Sequence, residues 1–161
     1  MRSMQIRQAW PSDVEALAAA HLDSIRAIGS AFYPLDIVEA WAAAVTPELY
    51  VRAMAGGEVF FVAVDAQAPD EVAGFSSHLV AEGRHGVSVY VRGSVSRQGI
   101  GSALLREAEA HARARGARML EIEASLPGVE FYFAQGYESV GPIAVTMSGQ
   151  QVECVAMRKA L

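Results

Sequence analysis

From residue 93 the chain reads Gly93-Ser94-Val95-Ser96-Arg97-Gln98-Gly99-Ile100-Gly101-Ser102, a small polar loop with an abrupt change of period on either side. Before it, Val87, Val89 and Val91 alternate with Ser88 and Tyr90 as in a strand. After it, Ile100, Ala103, Leu104, Ala108 and His111 recur at helical spacing. A strand that enters a glycine loop and leaves as a helix points several backbone N–H groups, and the positive end of a helix dipole, at one place. Such a place binds anions. Gly99 and Gly101 remove side chains that would hold a pyrophosphate away from the backbone, while Arg97 adds a charge and Ser102 a hydroxyl. Two phosphate-binding signatures do not fit. A P-loop needs Gly-Lys-Ser/Thr, and Gly101 is followed by Ser102-Ala103; a dinucleotide fingerprint needs a third small residue where Leu104 stands.

The other reactive side chains are scattered. His21, His78, His85 and His111 have no zinc-ligand spacing, so no metal is expected. The single Cys154 excludes an intramolecular disulfide framework and reads as a buried thiol. Phe32, Tyr33 and Trp41 read as core aromatics, with an acceptor pocket as the other use for them. Arg113, Arg115 and Arg118 suit the end of a helix and its solvent. With 13 Lys and Arg against 18 Asp and Glu, the net charge of −5 offers no general attraction to nucleic acid or to a membrane surface. No apolar run approaches the ~18 residues that cross a bilayer, and Met1 to Trp10 lacks a signal-peptide core. A soluble, cytoplasmic protein is expected.

These groups must be positioned by a fold of 161 residues, 52% of them hydrophobic, which is enough for one domain spanning residues 1–161. Met4 to Ala9 reads as a strand ended by Trp10-Pro11. Ser12 or Asp13 caps a helix whose apolar stripe is Val14, Leu17, Ala18, Leu22 and Ile25. Further helices are expected from Leu35 to Val45 and from Pro47 to Gly56-Gly57. Val59 to Val64 and Val72 to Val80 read as a hairpin closed over Asp65 to Asp70, with a turn bracketed by Gly83 and Gly86 after it. Beyond the loop, a helix runs to Gly116, supported from outside by Glu109 and Arg113 at i, i+4. Then come a strand from Arg118 to Ala124, a short helix from Val129 to Gln135, and strands over Tyr137 to Met147 and Gln151 to Lys159.

The order of these motifs resembles the GCN5-related N-acetyltransferase (GNAT) family over nearly the whole chain. The loop Ser96-Arg97-Gln98-Gly99-Ile100-Gly101 is similar to the family's Arg/Gln-x-x-Gly-x-Gly/Ala, and Phe131-Tyr132-Phe133-Ala134-Gln135-Gly136-Tyr137 to its Phe-Tyr-x-x-x-Gly-Phe/Tyr segment. Three positions depart: Ser96 stands where Arg or Gln is usual, Ser125 where Asn is common, and Gly128 replaces an Ala. The resemblance implies a layered α/β fold, with a mixed, mostly antiparallel central sheet of six to seven strands flanked by helices. It also implies a V-shaped splay between two parallel central strands.

It further implies an acetyl-CoA-dependent N-acetyltransferase, with acetyl-CoA as co-substrate, no metal, and a small-molecule or peptide amine as acceptor. The implied cofactor contacts are Val89, Tyr90 and Val91 along the splayed strand, Ser96, Arg97, Gln98, Gly99, Ile100, Gly101 and Ser102 in the loop, and Ser125 and Tyr132. Tyr132 is the implied general acid beside the thioester sulfur, and a backbone N–H near Val91 the donor to the carbonyl oxygen. An amine of pKa ~10.4 must lose a proton before it attacks. His85 and Glu82 come first as the base, with Glu123 and His78 behind them. A non-catalytic acyl-CoA-binding module and a nucleotide-binding domain are the competing readings, and the closing strands from Tyr137 onward offer an edge for a homodimer.

Overall fold

The computed structural model describes residues 3–81 and 84–161, so Glu82 and Gly83 lie outside the described residues. The elements follow as β1 (Met4–Gln8), α1 (Val14–Ile28), α2 (Leu35–Ala43), α3 (Pro47–Ala55), β2 (Val59–Asp65), β3 (Ala68–Ala81) and β4 (Arg84–Val91). After them come α4 (Ile100–Ala114), β5 (Met119–Ser125), α5 (Val129–Ala134), β6 (Glu138–Met147) and β7 (Gln150–Ala160). No helix among the described residues is long and apolar enough to cross a membrane.

The seven strands form one sheet in the order β1-β2-β3-β4-β5-β7-β6. Every neighbouring pair is antiparallel except β4 and β5. Among the described residues that parallel pair is in register at Gly86 and Glu121 alone, whereas β4 stays paired with β3 from Arg84 to Val91. The two central strands therefore touch once and diverge toward their C-terminal ends. Gly86, expected in a turn, is a strand residue at the point of that contact. The β2–β3 turn is also tighter than expected: only Ala66 and Gln67 separate the strands, because Asp65 Oδ1 accepts the Gln67 N–H at 2.9 Å.

Alternation along the strands divides the core into layers. Phe60, Val62 and Phe75 face Leu17, Ile25, Val38, Trp41 and Tyr50 from α1, α2 and α3. On the opposite face, Val87, Leu120 and Ala124 pack against Leu105, Ala108 and Ala112 of α4 and Tyr132 of α5. The α1 stripe holds Leu17, Ala18 and Ile25 as its period predicts, and it also buries His21 and Ser24. On α4 the expectation for Glu109 fails. It is 6% exposed and accepts a bond from Lys159 Nζ at 2.7 Å rather than facing solvent beside Arg113. Residues 105, 108, 109 and 112 follow the i, i+3, i+4, i+7 pattern, so Glu109 falls inside the buried stripe.

Candidate active site

The divergence of β4 and β5 opens a cleft of about 610 Å³ that reaches both faces of the sheet. Backbone N–H groups alternate sides along a strand. Arg92 N–H donates to Ala73 O of β3 at 2.9 Å, and Val89 N–H donates away from β3, to Tyr132 Oη at 2.9 Å. The Val91 N–H, two residues on from Val89, therefore points into the opening.

At the end of β4 the chain turns through Gly93–Val95 into the loop before α4. Gly93 N–H donates to Asp23 Oδ2 at 2.9 Å, which ties the loop to α1, and Ser96 Oγ donates to Gly93 O at 2.9 Å. Arg97 and Gly99 both adopt left-handed conformations, at φ +61° and +82°. The first intrahelical bond of α4 runs from Ala103 N–H to Gly99 O at 3.1 Å, and no side chain caps the helix. The N–H groups of Ile100, Gly101 and Ser102 thus have no helix acceptor and lie at the positive end of the dipole. Gly101 is held between neighbours: a Cβ there would lie 3.3 Å from the Phe131 ring and 3.5 Å from Val91 Cγ2. Backbone approach is possible because that side chain is missing.

Of the residues expected on sequence grounds, Val89, Tyr90, Val91, Ser96, Arg97, Gly99, Gly101, Ser102, Ser125 and Tyr132 line this one cleft. Ser96 uses its hydroxyl within the loop, which leaves Arg97 as the side-chain cation there. Gln98 and Ile100 do not line this cleft but a separate groove with Met4, Ile6 and Ala63. Tyr132 is 4% exposed, and its burial pushes the phenol well above the ordinary tyrosine range, against the opposing effect of the Val89 N–H. It stays protonated throughout the accessible pH range.

The expected bases divide differently. His85 precedes the Gly86–Glu121 contact, on the closed side of the V, and does not line the cleft; its Nδ1 is buried with no hydrogen-bond partner among the described residues. His78 is buried on the α4 face, stacked on Phe61, with Nε2 2.8 Å from His111 Nδ1. Burial and the neighbouring His111 lower its pKa to about 4. Glu82 lies outside the described residues. Glu123, exposed on β5, does line the cleft.

The face toward α1 and α2 adds Ser24, Ile28 and Gly29, which sequence reasoning missed, although Ser24 and Ile28 continue the α1 stripe by steps of three and four. The aromatic trio separates. Trp41 and Phe32 reach the cleft. Tyr33 is buried, donates to Glu153 O at 2.5 Å and accepts the Leu126 N–H at 2.9 Å, so it clasps the end of β5 to β7. Cys154 is a free, buried thiol whose pKa burial raises.

A family model described as "Acetyltransferase (GNAT) domain" matches residues 24–161. The chain belongs to the GNAT acetyltransferase family. The GNAT fold is equally plain among solved structures. A GCN5-related N-acetyltransferase structure from Rhodopseudomonas palustris is similar over 100% of this chain and 98% of that one, at 27% identity and a TM-score of 0.87. The PaiA N-acetyltransferase of Thermoplasma acidophilum, solved with coenzyme A, matches at 20% identity and a TM-score of 0.77, covering 99% of each chain. A phosphinothricin acetyltransferase of Sinorhizobium meliloti, solved with acetyl-CoA, matches at 20% identity and a TM-score of 0.71, covering 98% of this chain and 88% of that one. No curated protein matches the chain significantly.

Proposed function

We propose that this GNAT domain transfers an acetyl group from acetyl-CoA to an amine by direct attack in a ternary complex. The observation that carries the reading is the β4–β5 pair that meets once and then opens. It leaves the Val91 amide free beside an uncapped, glycine-lined helix N-terminus, a cradle that a β-carbon at residue 101 would crowd. The likeness to structures solved with coenzyme A or acetyl-CoA supports the same ligand.

In this reading the N–H groups of Ile100, Gly101 and Ser102, with Arg97, hold the pyrophosphate, and Ser125 and the edge of β4 guide the pantetheine arm. A thioester is already activated, so the protein chiefly holds the amine in line with its carbonyl carbon. The nitrogen lone pair attacks that carbon, and the Val91 N–H donates to the oxygen as it becomes negative. Collapse breaks the C–S bond and leaves charge on sulfur. Tyr132 donates there, because Val89 N–H already occupies a lone pair of its oxygen and leaves the O–H for the cleft. Glu123, directly or through water, takes the proton that the ammonium must lose, a role for which it stands on the open side of the V and His85 does not.

The test is calorimetric titration with acetyl-CoA, followed by detection of free CoA with a panel of amines and mass analysis of the products. Binding with amine-dependent release and a 42-dalton gain on the amine is expected, that gain being about the mass of an acetyl group less a proton. Binding without release from any amine identifies a non-catalytic acyl-CoA module, and no binding removes the assignment.

A further inference from the structure

We propose that the acceptor is an amine on an apolar, preferably aromatic, body that carries no anionic group; the proposal rests on the transfer reading above. The cleft has two ends of opposite character. At the α4 end stand open N–H groups and Arg97, the one Lys or Arg side chain among the described residues that line the cleft. At the α1–α2 end the wall is made by Ile28, Phe32, Trp41 and Tyr90, with Ser24 and the Glu123 carboxylate as its polar side chains.

Among the described residues buried behind this wall, His21 is the one basic side chain. His21 lies beneath Tyr90 with ring centroids 3.9 Å apart. It is 8% exposed and bonded through Nδ1 to Tyr50 Oη at 2.6 Å. Burial lowers its pKa to about 3, so it is neutral. Burial likewise keeps the Tyr90 phenol protonated. An acceptor bearing a carboxylate or phosphate would be desolvated here with no counter-charge and would face Glu123. An ammonium on a flat apolar body meets complementary groups: Glu123 for the charge and the aromatic faces for both charge and body. Phe32, 51% exposed at the rim, is a large aromatic left in water unless something covers it.

The experiment compares phenethylamine with glutamate. Release of CoA is followed at saturating acetyl-CoA, and quenching of tryptophan fluorescence by each amine is read separately without the cofactor, with Trp41→Phe as the control. The expected result is a kcat/KM for phenethylamine at least about a hundred-fold above that for glutamate, with quenching by phenethylamine that the control lacks. Phe32→Arg, at an exposed position, should narrow that ratio by weakening phenethylamine and favouring glutamate. Equal or better turnover of glutamate overturns the proposal, as does acetyl-CoA binding accompanied by neither quenching nor turnover with phenethylamine. If acetyl-CoA fails to bind while phenethylamine still quenches Trp41, the transfer reading falls and the preference of this wall stands.

Discussion

Tyr132→Phe separates the work of the phenol in folding from its work in the reaction. In the folded protein its oxygen accepts the Val89 N–H at 2.9 Å, and leaving a buried donor without a partner costs about 1–3 kcal/mol. Val89 is only partly buried and borders the cleft, so water reaches the amide once the hydroxyl is gone. The low end of that range applies. About 1 kcal/mol in a chain of this length lowers Tm by roughly 2–4 °C. Loss of a hydrogen-bond donor to the developing charge on the leaving sulfur costs a factor of about 10² to 10³ in turnover, equivalent to roughly 3–4 kcal/mol of barrier. The catalytic effect therefore exceeds the folding effect several-fold. Acetyl-CoA affinity should hold or rise slightly, because the freed Val89 amide is open to the ligand. Thermal melts, acetyl-CoA calorimetry and steady-state CoA release on the same preparation give the three numbers. A variant that binds acetyl-CoA normally and turns over within three-fold of the parent would refute the donor role, whatever its Tm.

Three further outcomes follow from named contacts. The folded pKa values of His21 and His78, about 3 and about 4, lie below the ordinary value of ~6.5, so the unfolded chain takes protons first. Their contribution is fully present above pH ~6.5 and is lost as the pH falls. Denaturant titration at pH 5 should show about 2 kcal/mol less stability per histidine than at neutral pH, and equal stability at the two pH values would contradict it. Arg97→Gly relieves a left-handed residue at φ +61° and should stabilise the fold by up to ~1 kcal/mol, while weakening acetyl-CoA by about ten-fold at low salt and less at high salt; unchanged affinity removes Arg97 from the phosphate site. Gly93→Ala puts a Cβ 2.5 Å from Ala27 Cβ and should cost about 1–3 kcal/mol with a raised KM for acetyl-CoA, and a melt identical to the parent's would show that α1 and the loop part without penalty.

What the sequence shows plainly is what the backbone demands. The α4 loop is legible because Gly99 and Gly101 answer to a left-handed turn and to a close approach by Phe131 and Val91, and requirements of that kind select glycine. The stripe of α1 and the short α5 are legible because period and burial coincide. The proposed base, Glu123, is less legible, for a geometric reason. His85 is near Val89 in the chain, but a strand rises about 3.3 Å per residue, which puts it roughly 13 Å from Val89 and on the paired side of the V; Glu82 lies outside the described residues. Glu123 comes from the other arm, and its neighbours Ser24 and Trp41 from helices some hundred residues earlier. Nothing local in the sequence joins them. Glu109 failed otherwise: its i, i+4 partner Arg113 suggested the surface, although its place in the 105, 108, 109, 112 stripe pointed inward.

A parallel pair that meets at one residue would ordinarily close, because each further register step satisfies an N–H and a C=O. Here aromatic side chains flank the gap on both faces and at its far end. Phe131 and Tyr132 enter from the α4–α5 side, with Tyr132 taking the Val89 N–H that a ladder would have used. Tyr90 and Trp41 stand edge to face on the other side, ring centroids 6.4 Å apart. Tyr33 bonds Leu126 N–H and Glu153 O, and so holds the end of β5 to β7 rather than to β4. The aromatic residues that keep the strands apart are thus largely the ones proposed to touch the reactants. Enlarging the cleft by trimming them would relax the V that exposes the Val91 amide, so acceptor range and turnover are coupled through the same side chains. Changes at the rim, at exposed Phe32 or half-buried Ile28, are the ones that can alter specificity while the wedge stays in place.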